Sequence, residues 1–229
     1  MSCSKTTDKT KAMVRIEKTL DGTDTIFSDK IGETFHSIKG ALSESEHIFI
    51  KNGLAHCNKA NINVLEIGFG TGLNALCSLS WAINNNKKIF FSTIELFPLK
   101  EEIYSKLNYC DTIGYKAEFR AIHQIEWDKA TEINQHFSIQ KLKQDFHTIT
   151  ELPDFDVCFF DAFSPERQPE MWTEERFYLL YKSARKGAIL TTYCSKGEVR
   201  RRMQRAGFCV ERLEGPIGGK REILRATKL

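Results

Sequence analysis

No run of apolar residues approaches the roughly 20 that a membrane-spanning helix requires. The opening stretch MSCSKTTDKTK has no apolar segment of signal-peptide type; residues 1–13 read as a short disordered tail. No C-x-x-C pair occurs among the seven cysteines Cys3, Cys57, Cys77, Cys110, Cys158, Cys194 and Cys209, which are odd in number and scattered. Neither a zinc ligand set nor a disulfide framework is therefore signalled. Most of these cysteines stand in apolar runs and are expected to be reduced core residues of a cytoplasmic protein. Internal repeats and low-complexity linkers are missing too. Net charge is small, +3 from 33 Lys/Arg against 30 Asp/Glu, but its distribution is not even. Residues 182–229 hold 13 Lys/Arg and 4 Asp/Glu, a net +9, which leaves −6 on residues 1–181. This asymmetry fits either a basic face that meets a polyanion or a plain solvated helix surface.

What is present is the composition of a globular chain of 229 residues, long enough for one α/β domain with a small appendage. Residues 14–60 read as that appendage: a strand over Val14–Leu20, a DGTDT turn, a return strand over Thr25–Ser28, and helical spacing in ALSESEHIFIKNGL. From residue 61 to 229 strands and helices alternate. Strands are expected at Asn63–Ile67, Lys88–Glu95, Phe137–Lys143, Phe155–Asp161 and Gly187–Tyr193, and a closing antiparallel pair at Phe208–Leu213 and Arg221–Thr227. Helices are expected at Thr71–Ile83, Pro98–Leu107, Ile122–His136, Thr173–Ala184 (with Thr173 as its cap) and Lys196–Ala206. The alternation predicts an open, Rossmann-like, mostly parallel sheet with helices on both faces and an antiparallel C-terminal strand.

The first chemical signal is VLEIGFGTGLN, residues 64–74. A strand runs into three glycines, Gly68, Gly70 and Gly72, and a helix follows. A dinucleotide loop of the G-x-G-x-x-G type would need glycine where Leu73 stands. An acid, Glu66, precedes the first glycine instead; it suits a ligand bearing positive charge and would repel a pyrophosphate. S-adenosylmethionine, with an ammonium and a sulfonium and no phosphate, is such a ligand. Glu66, Gly68, Phe69, Gly70, Thr71, Gly72 and Asn74 are the candidate contacts of this loop. Glu95 ends the next strand, where an acid can accept ribose hydroxyls. Asp145 and Phe146 follow the third strand and suit an adenine ring. Asp161 ends the strand in FDVCFFDAFSP at the carboxyl edge of the sheet, where it would face the methyl end of the cofactor; resemblance to the many methyltransferases with an acid here implies contact with an amine substrate.

These motifs together resemble one family. EIGFGTGLN, ELFP, FFDAFSP with PEMW after it, GEVRRRMQRAGF and GKREIL occur in the order found in the methyltransferase half of the bifunctional bacterial enzyme of tRNA 5-methylaminomethyl-2-thiouridine biosynthesis. The upstream FSDKIGE and SEHIFIKNGL fit the same pattern, so the resemblance runs from about residue 15 onward. It implies a class I methyltransferase fold and a stand-alone tRNA methyltransferase. That enzyme would transfer methyl from S-adenosylmethionine to the primary amine of 5-aminomethyl-(2-thio)uridine at the wobble position. Bifunctional members carry a flavin-dependent oxidase domain; this chain, ending at Leu229, is expected to lack it, with any such oxidase a separate partner. A monomer that contacts the tRNA anticodon region and no membrane is expected. One departure stands out: Ile217 occupies the place of the family's usual aromatic before Gly-x-Lys-Arg-Glu.

The amine must attack as a free base, and at neutral pH only about one in a thousand of a group with pKa about 10 is neutral. Asp161 is thus assigned a catalytic role, positioning first and base second. Phe163 and Trp172 are candidates for desolvating the amine, Trp172 either by stacking on a flipped base or as core. Arg201, Lys220 and Arg221, with Lys196, Arg200, Arg202 and Arg205, are candidate phosphate contacts. The alternatives are a small-molecule amine N-methyl- or aminopropyltransferase, and a non-catalytic RNA-binding module. Against the former, the residues after Asp161 are Ala, Phe, Ser and Pro rather than further carboxylates. Against the latter, Glu66, Gly68, Gly70, Glu95 and Asp161 are all in place.

Overall fold

The computed structural model describes residues 14–229; the tail expected at residues 1–13, with Cys3, lies outside the described residues. A small antiparallel sheet comes first, β1 (Val14–Lys18), β2 (Asp24–Ser28) and β3 (Glu33–Thr34), in that spatial order. The third strand carries no sequence signal. Helix α1 (Ala41–Ser45) then passes into a π-helical turn over Glu46–Lys51 and a 3₁₀ turn over Leu54–His56. The helical spacing of this segment is therefore real, but its second half is wound more widely than an α-helix.

The main sheet has eight strands: β4 (Asn61–Ile67), β5 (Lys88–Ile94), β6 (Ala130–Asn134), β7 (Phe137–Leu142), β8 (Phe155–Phe160), β9 (Ala184–Thr192), β10 (Cys209–Glu214) and β11 (Glu222–Thr227). Their spatial order is β10-β11-β9-β8-β4-β5-β7-β6. The five central strands are parallel, while β6 runs against β7, and β11 runs against both β9 and β10. From β4 the chain winds outward through β5 and β7, then returns to β8 on the other side and winds out through β9. The direction of winding thus reverses between β4 and β8, and a crevice at such a reversal is where open α/β sheets bind ligands.

Side-chain alternation divides the core into two layers. Ile62 and Val64 of β4 and Phe159 of β8 pack on the side of α2 (Leu73–Asn84), α4 (Tyr109–Ile113) and α5 (Lys116–Gln124). Leu65, Ile67 and Phe160 pack on the side of α6 (Glu174–Ser183) and α7 (Gly197–Arg205). Thr173 caps α6, its hydroxyl accepting from Arg176 N at 3.4 Å. The closing antiparallel pair is present, each strand starting one residue later than its pattern suggests.

Two expected helices differ. Pro98–Leu107 holds only one α-helical turn, α3 (Glu101–Tyr104). The helix expected over Ile122–His136 is the end of α5 followed by β6. Ile125 leaves α5 in an extended conformation, and Asp128 sits at φ 62°, which no helix accommodates. Beyond it half-buried Thr131 and Ile133 flank exposed Glu132, the period of an edge strand. No helix among the described residues is long and apolar enough to cross a membrane.

Candidate functional site

A cavity of about 910 Å³ opens at the carboxyl ends of β4, β5 and β8, within the range of ligand pockets, roughly 300–1,000 Å³. Its floor is the glycine loop. The loop is fixed on both sides: Gly68 N donates to Ile94 O of β5, and Asp161 N donates to Ile67 O of β4, each at 3.0 Å. Gly68 has φ +94°, and a Cβ there would lie 2.6 Å from the backbone oxygen of Asp161. Gly70, at φ +51°, would bring a Cβ 3.0 Å from the Phe35 ring. Only glycine leaves both the conformation and the space open.

The four carboxyls expected from the sequence lie in or behind the wall of this cavity, which Glu33, Glu44, Glu102 and Glu170 also line. Glu66, on β4, is fully buried behind the loop rather than in the cavity wall. Its Oε2 accepts from Thr93 Oγ1 at 2.7 Å, while Oε1 has no hydrogen-bond partner among the described residues. Burial holds this carboxyl well above the usual range, against the Thr93 hydrogen bond and with the charge of Asp161 adding to the effect. Glu95 follows β5 and lines the cavity; its Oε2 accepts from Gly70 N at 3.2 Å and its Oε1 from Phe97 N at 2.7 Å. Burial raises its pKa, opposed by the backbone N–H groups of Phe97, Gly70 and Leu96. Asp145 caps its own turn, accepting from His147 N at 2.9 Å, and lines the cavity beside Phe146. Asp161 stands opposite, where β8 ends; its Oδ2 accepts from Asn74 Nδ2 at 2.9 Å. Burial first, and the charge of Glu44 second, push the Asp161 carboxyl up to about 7 against the Asn74 hydrogen bond and the charge of Lys220.

Gly68, Phe69, Gly70, Glu95, Asp145, Phe146, Asp161, Phe163 and Lys220 line this one cavity. Thr71, Gly72 and Asn74 act from beneath it: Gly72 starts α2, Asn74 holds Asp161, and Thr71 Oγ1 lies 2.6 Å from His36 Nε2. The Phe69 ring packs away from the cavity on His123 and Trp127.

Of the two readings of Trp172 the structure has the core one, which corrects its candidacy as a substrate contact. It is fully buried, packs edge-on against Phe160 at 4.8 Å between centroids, and donates its Nε1 hydrogen to Phe163 O at 2.8 Å. The indole supports Phe163 from below and presents no face to a base. The basic helix α7 is also less open than its sequence suggests. Arg201 and Arg202 pair with Glu198, Arg205 with Glu174 and Glu198, and Lys196 with Glu166. Arg201 and Arg221 lie outside the cavity. Arg221 is exposed and has no ion pair with another described residue.

The sequence reading misses the contribution of the N-terminal segment, which supplies Phe35, His36 and Glu44 to the cavity wall. Phe35 meets Phe163 edge-on at 5.0 Å. Burial lowers the His36 pKa to about 4, so the ring is neutral at pH 7. No local motif announces these three. Tyr193, also in the wall, was within reach of sequence reasoning, since it follows β9 at the same carboxyl edge as Glu95 and Asp161.

Residues 112–229 match a family model described as S-adenosyl-L-methionine-dependent methyltransferase. The chain is 30% identical over 218 residues to the tRNA 5-methylaminomethyl-2-thiouridine biosynthesis bifunctional protein MnmC of Nitrosospira multiformis, covering 87% of this chain and 35% of that protein. It is 31% identical over 229 residues to the protein of the same name from Azoarcus sp., covering 91% and 34%. It thus spans 35% and 34% of the length of these two curated relatives. Among solved structures, MNMC2 from Aquifex aeolicus superposes with a TM-score of 0.76 at 27% identity, covering 95% of this chain and 71% of that one. A spermidine synthase from Thermotoga maritima superposes with a TM-score of 0.57 at 13% identity, a likeness of fold alone.

Proposed function

The chain belongs to the S-adenosyl-L-methionine-dependent methyltransferases, and on that premise we propose that it methylates the primary amine of 5-aminomethyl-(2-thio)uridine at the wobble position of tRNA. The relatives named for 5-methylaminomethyl-2-thiouridine biosynthesis support the substrate. The observation that carries the chemistry is Asp161, a carboxylate at the point where the sheet reverses its winding, with its pKa brought to about 7.

The residues present fit the cofactor. The cradle at Gly68 and Gly70 would be filled by a Cβ, and Glu95, Asp145 and Phe146 line the cavity beside it. A pyrophosphate would meet Glu95, Asp145 and Asp161 in the cavity wall, an unfavourable set for an anion. In this reading Glu95 accepts the ribose hydroxyls, Asp145 and Phe146 hold the adenine, and the glycine loop accommodates the amino-acid end. When bound, S-adenosylmethionine supplies an electrophilic methyl group on a sulfonium.

The rest falls to the protein. Asp161 takes the amine's hydrogen bond and directs its lone pair, and most of the rate comes from this alignment. It also takes the proton. A carboxylate of ordinary pKa, about 4, is a poor base toward an ammonium of pKa about 10; at about 7 the uphill gap is smaller by about 4 kcal/mol. Phe163 and Phe35 exclude water from the amine, and desolvation lowers the amine's own pKa. Arg221 and the α7 cations approach backbone phosphates of the anticodon region. This reading places the reaction in the cytoplasm, on a monomer.

The test is nucleoside mass spectrometry on tRNA from cells lacking the protein, before and after incubation with enzyme and methyl donor. The expected result is conversion of the 5-aminomethyl nucleoside to its methylamino form. An unchanged nucleoside profile would contradict the proposed substrate.

A further inference from the structure

Of the cations in the basic C-terminal segment, Lys220 is the one that lines the cavity. Its Nζ lies 3.1 Å from Oε1 of Glu44 and 3.6 Å from the centre of the Tyr193 ring. Both partners are held in place from elsewhere. Glu44 is buried, and its second oxygen accepts from Ser37 N at 2.8 Å. The Tyr193 hydroxyl donates to Ala162 O at 2.8 Å, one residue from Asp161. A fixed carboxylate beside a fixed aromatic face is the chemistry that recognises an alkylammonium ion.

The backbone beside Lys220 is anchored, Gly215 N donating to Arg221 O at 2.9 Å, so what is free to move is the Lys220 side chain. Lys220 follows Gly218 and Gly219 on a loop whose Ile217 is fully exposed, and no described residue comes within 4 Å of where a Cβ on Gly218 would be. Its four-carbon stem is flexible. A lysine engaged with a buried carboxylate is also poorly placed to serve as a phosphate contact.

We propose that Glu44 and the Tyr193 face form the docking site for the primary ammonium of the substrate, and that Lys220 holds this site as the chain's own alkylammonium until the substrate displaces it. The proposal rests on reading the cavity as the methyl-transfer site for a primary amine, and it adds the group that receives the amine before Asp161 does. Charge is conserved in the exchange, because one ammonium replaces another beside Glu44. The setting of Asp161, which feels both Glu44 and Lys220, is therefore preserved as the substrate enters. Glu44 comes from the N-terminal segment, so this segment would take part in substrate selection.

The test uses ethylammonium chloride as probe and the whole chain, with sodium chloride at matched ionic strength as control. Binding is followed by ligand-observed NMR for the parent, Lys220→Ala, and the double variant Lys220→Ala with Glu44→Gln. The expected result is binding at least tenfold tighter to Lys220→Ala than to the parent, and at least tenfold weaker again in the double variant. The proposal is overturned if Lys220→Ala binds no more tightly than the parent, or if the double variant binds as well as Lys220→Ala. Lys220→Met repeats the comparison should the alanine variant fail to fold. Calorimetry with S-adenosylmethionine on the same proteins separates the two levels: intact cofactor binding with failed ethylammonium binding sinks this proposal alone, whereas failed cofactor binding by the parent sinks the functional reading beneath it.

Discussion

In the proposed mechanism Asp161 is subject to opposing demands, since the environment that would make it a useful base also makes its charge costly to the fold. Its carboxyl titrates near 7 in the folded protein against an ordinary value of 3.8. A raised folded-state pKa means that the folded form binds the proton more tightly. The resulting stabilisation is complete below about pH 4 and is lost as pH rises through about 7. Asp161→Asn, which can still accept the Asn74 hydrogen bond, is therefore expected to melt higher than the parent at pH 8, with the gap closing toward pH 4. Thermal denaturation across that range checks the sign. The same variant is expected to lose methyl transfer by at least 100-fold while retaining cofactor affinity in calorimetry. Trp172 makes the opposite kind of case. Because the indole is buried under Phe163, Trp172→Ala is expected to cost about 3–5 kcal/mol of stability in urea titration, with no selective loss of substrate affinity in whatever protein remains folded.

The glycine loop is the element on which the proposed cofactor binding depends. In Gly68→Ala a positive φ costs about 1–3 kcal/mol, and the new Cβ meets a backbone oxygen, at 2.6 Å, that has no side-chain freedom to retreat. The expected outcome is a lower melting temperature and at least a tenfold loss of S-adenosylmethionine affinity by calorimetry. Gly114→Ala is the control: its φ is +83°, with open space around the position, so strain alone should lower stability and leave affinity unchanged. Helix α7 calls for a different measurement. Exposed ion pairs such as Arg201–Glu198 are worth about 0–1 kcal/mol, so they can be exchanged for phosphates at small cost. Arg221, which has no such pair among the described residues, is expected to matter more. Arg221→Ala should weaken tRNA binding and reduce the slope of log affinity against log salt by about 1, as read by filter binding at several salt concentrations.

At the scale of the whole molecule, legibility in the sequence follows the range of the interactions. The strand, the three glycines and the helix after them are contiguous, and so they were readable. Glu95 and Asp161 were readable for a similar reason, since each follows an apolar run with strand period. Phe35 and Glu44 were not, because what brings them to the cavity is a set of long-range contacts. Glu33 of the small sheet accepts from the Ser164 hydroxyl at 2.8 Å across 131 residues of chain, and Arg167 donates to Gly32 O at 3.1 Å. No periodicity encodes such docking. The edge strand β6 was hidden because Ile122, Ile125 and Ile133 lie near helical spacing, and only the backbone reversal at Asp128 separates them. Trp172 was ambiguous because an aromatic in a short PEMW turn has no period to reveal which way it faces.

The most direct measurement is a crystal structure with S-adenosylhomocysteine bound. The ribose is expected at Glu95, the adenine between Asp145 and Phe146, and the sulfur on the side of the cavity that faces Asp161. Density for the nucleotide away from the carboxyl ends of β4 and β5, or a sulfur turned away from Asp161, would contradict methyl transfer at this carboxylate.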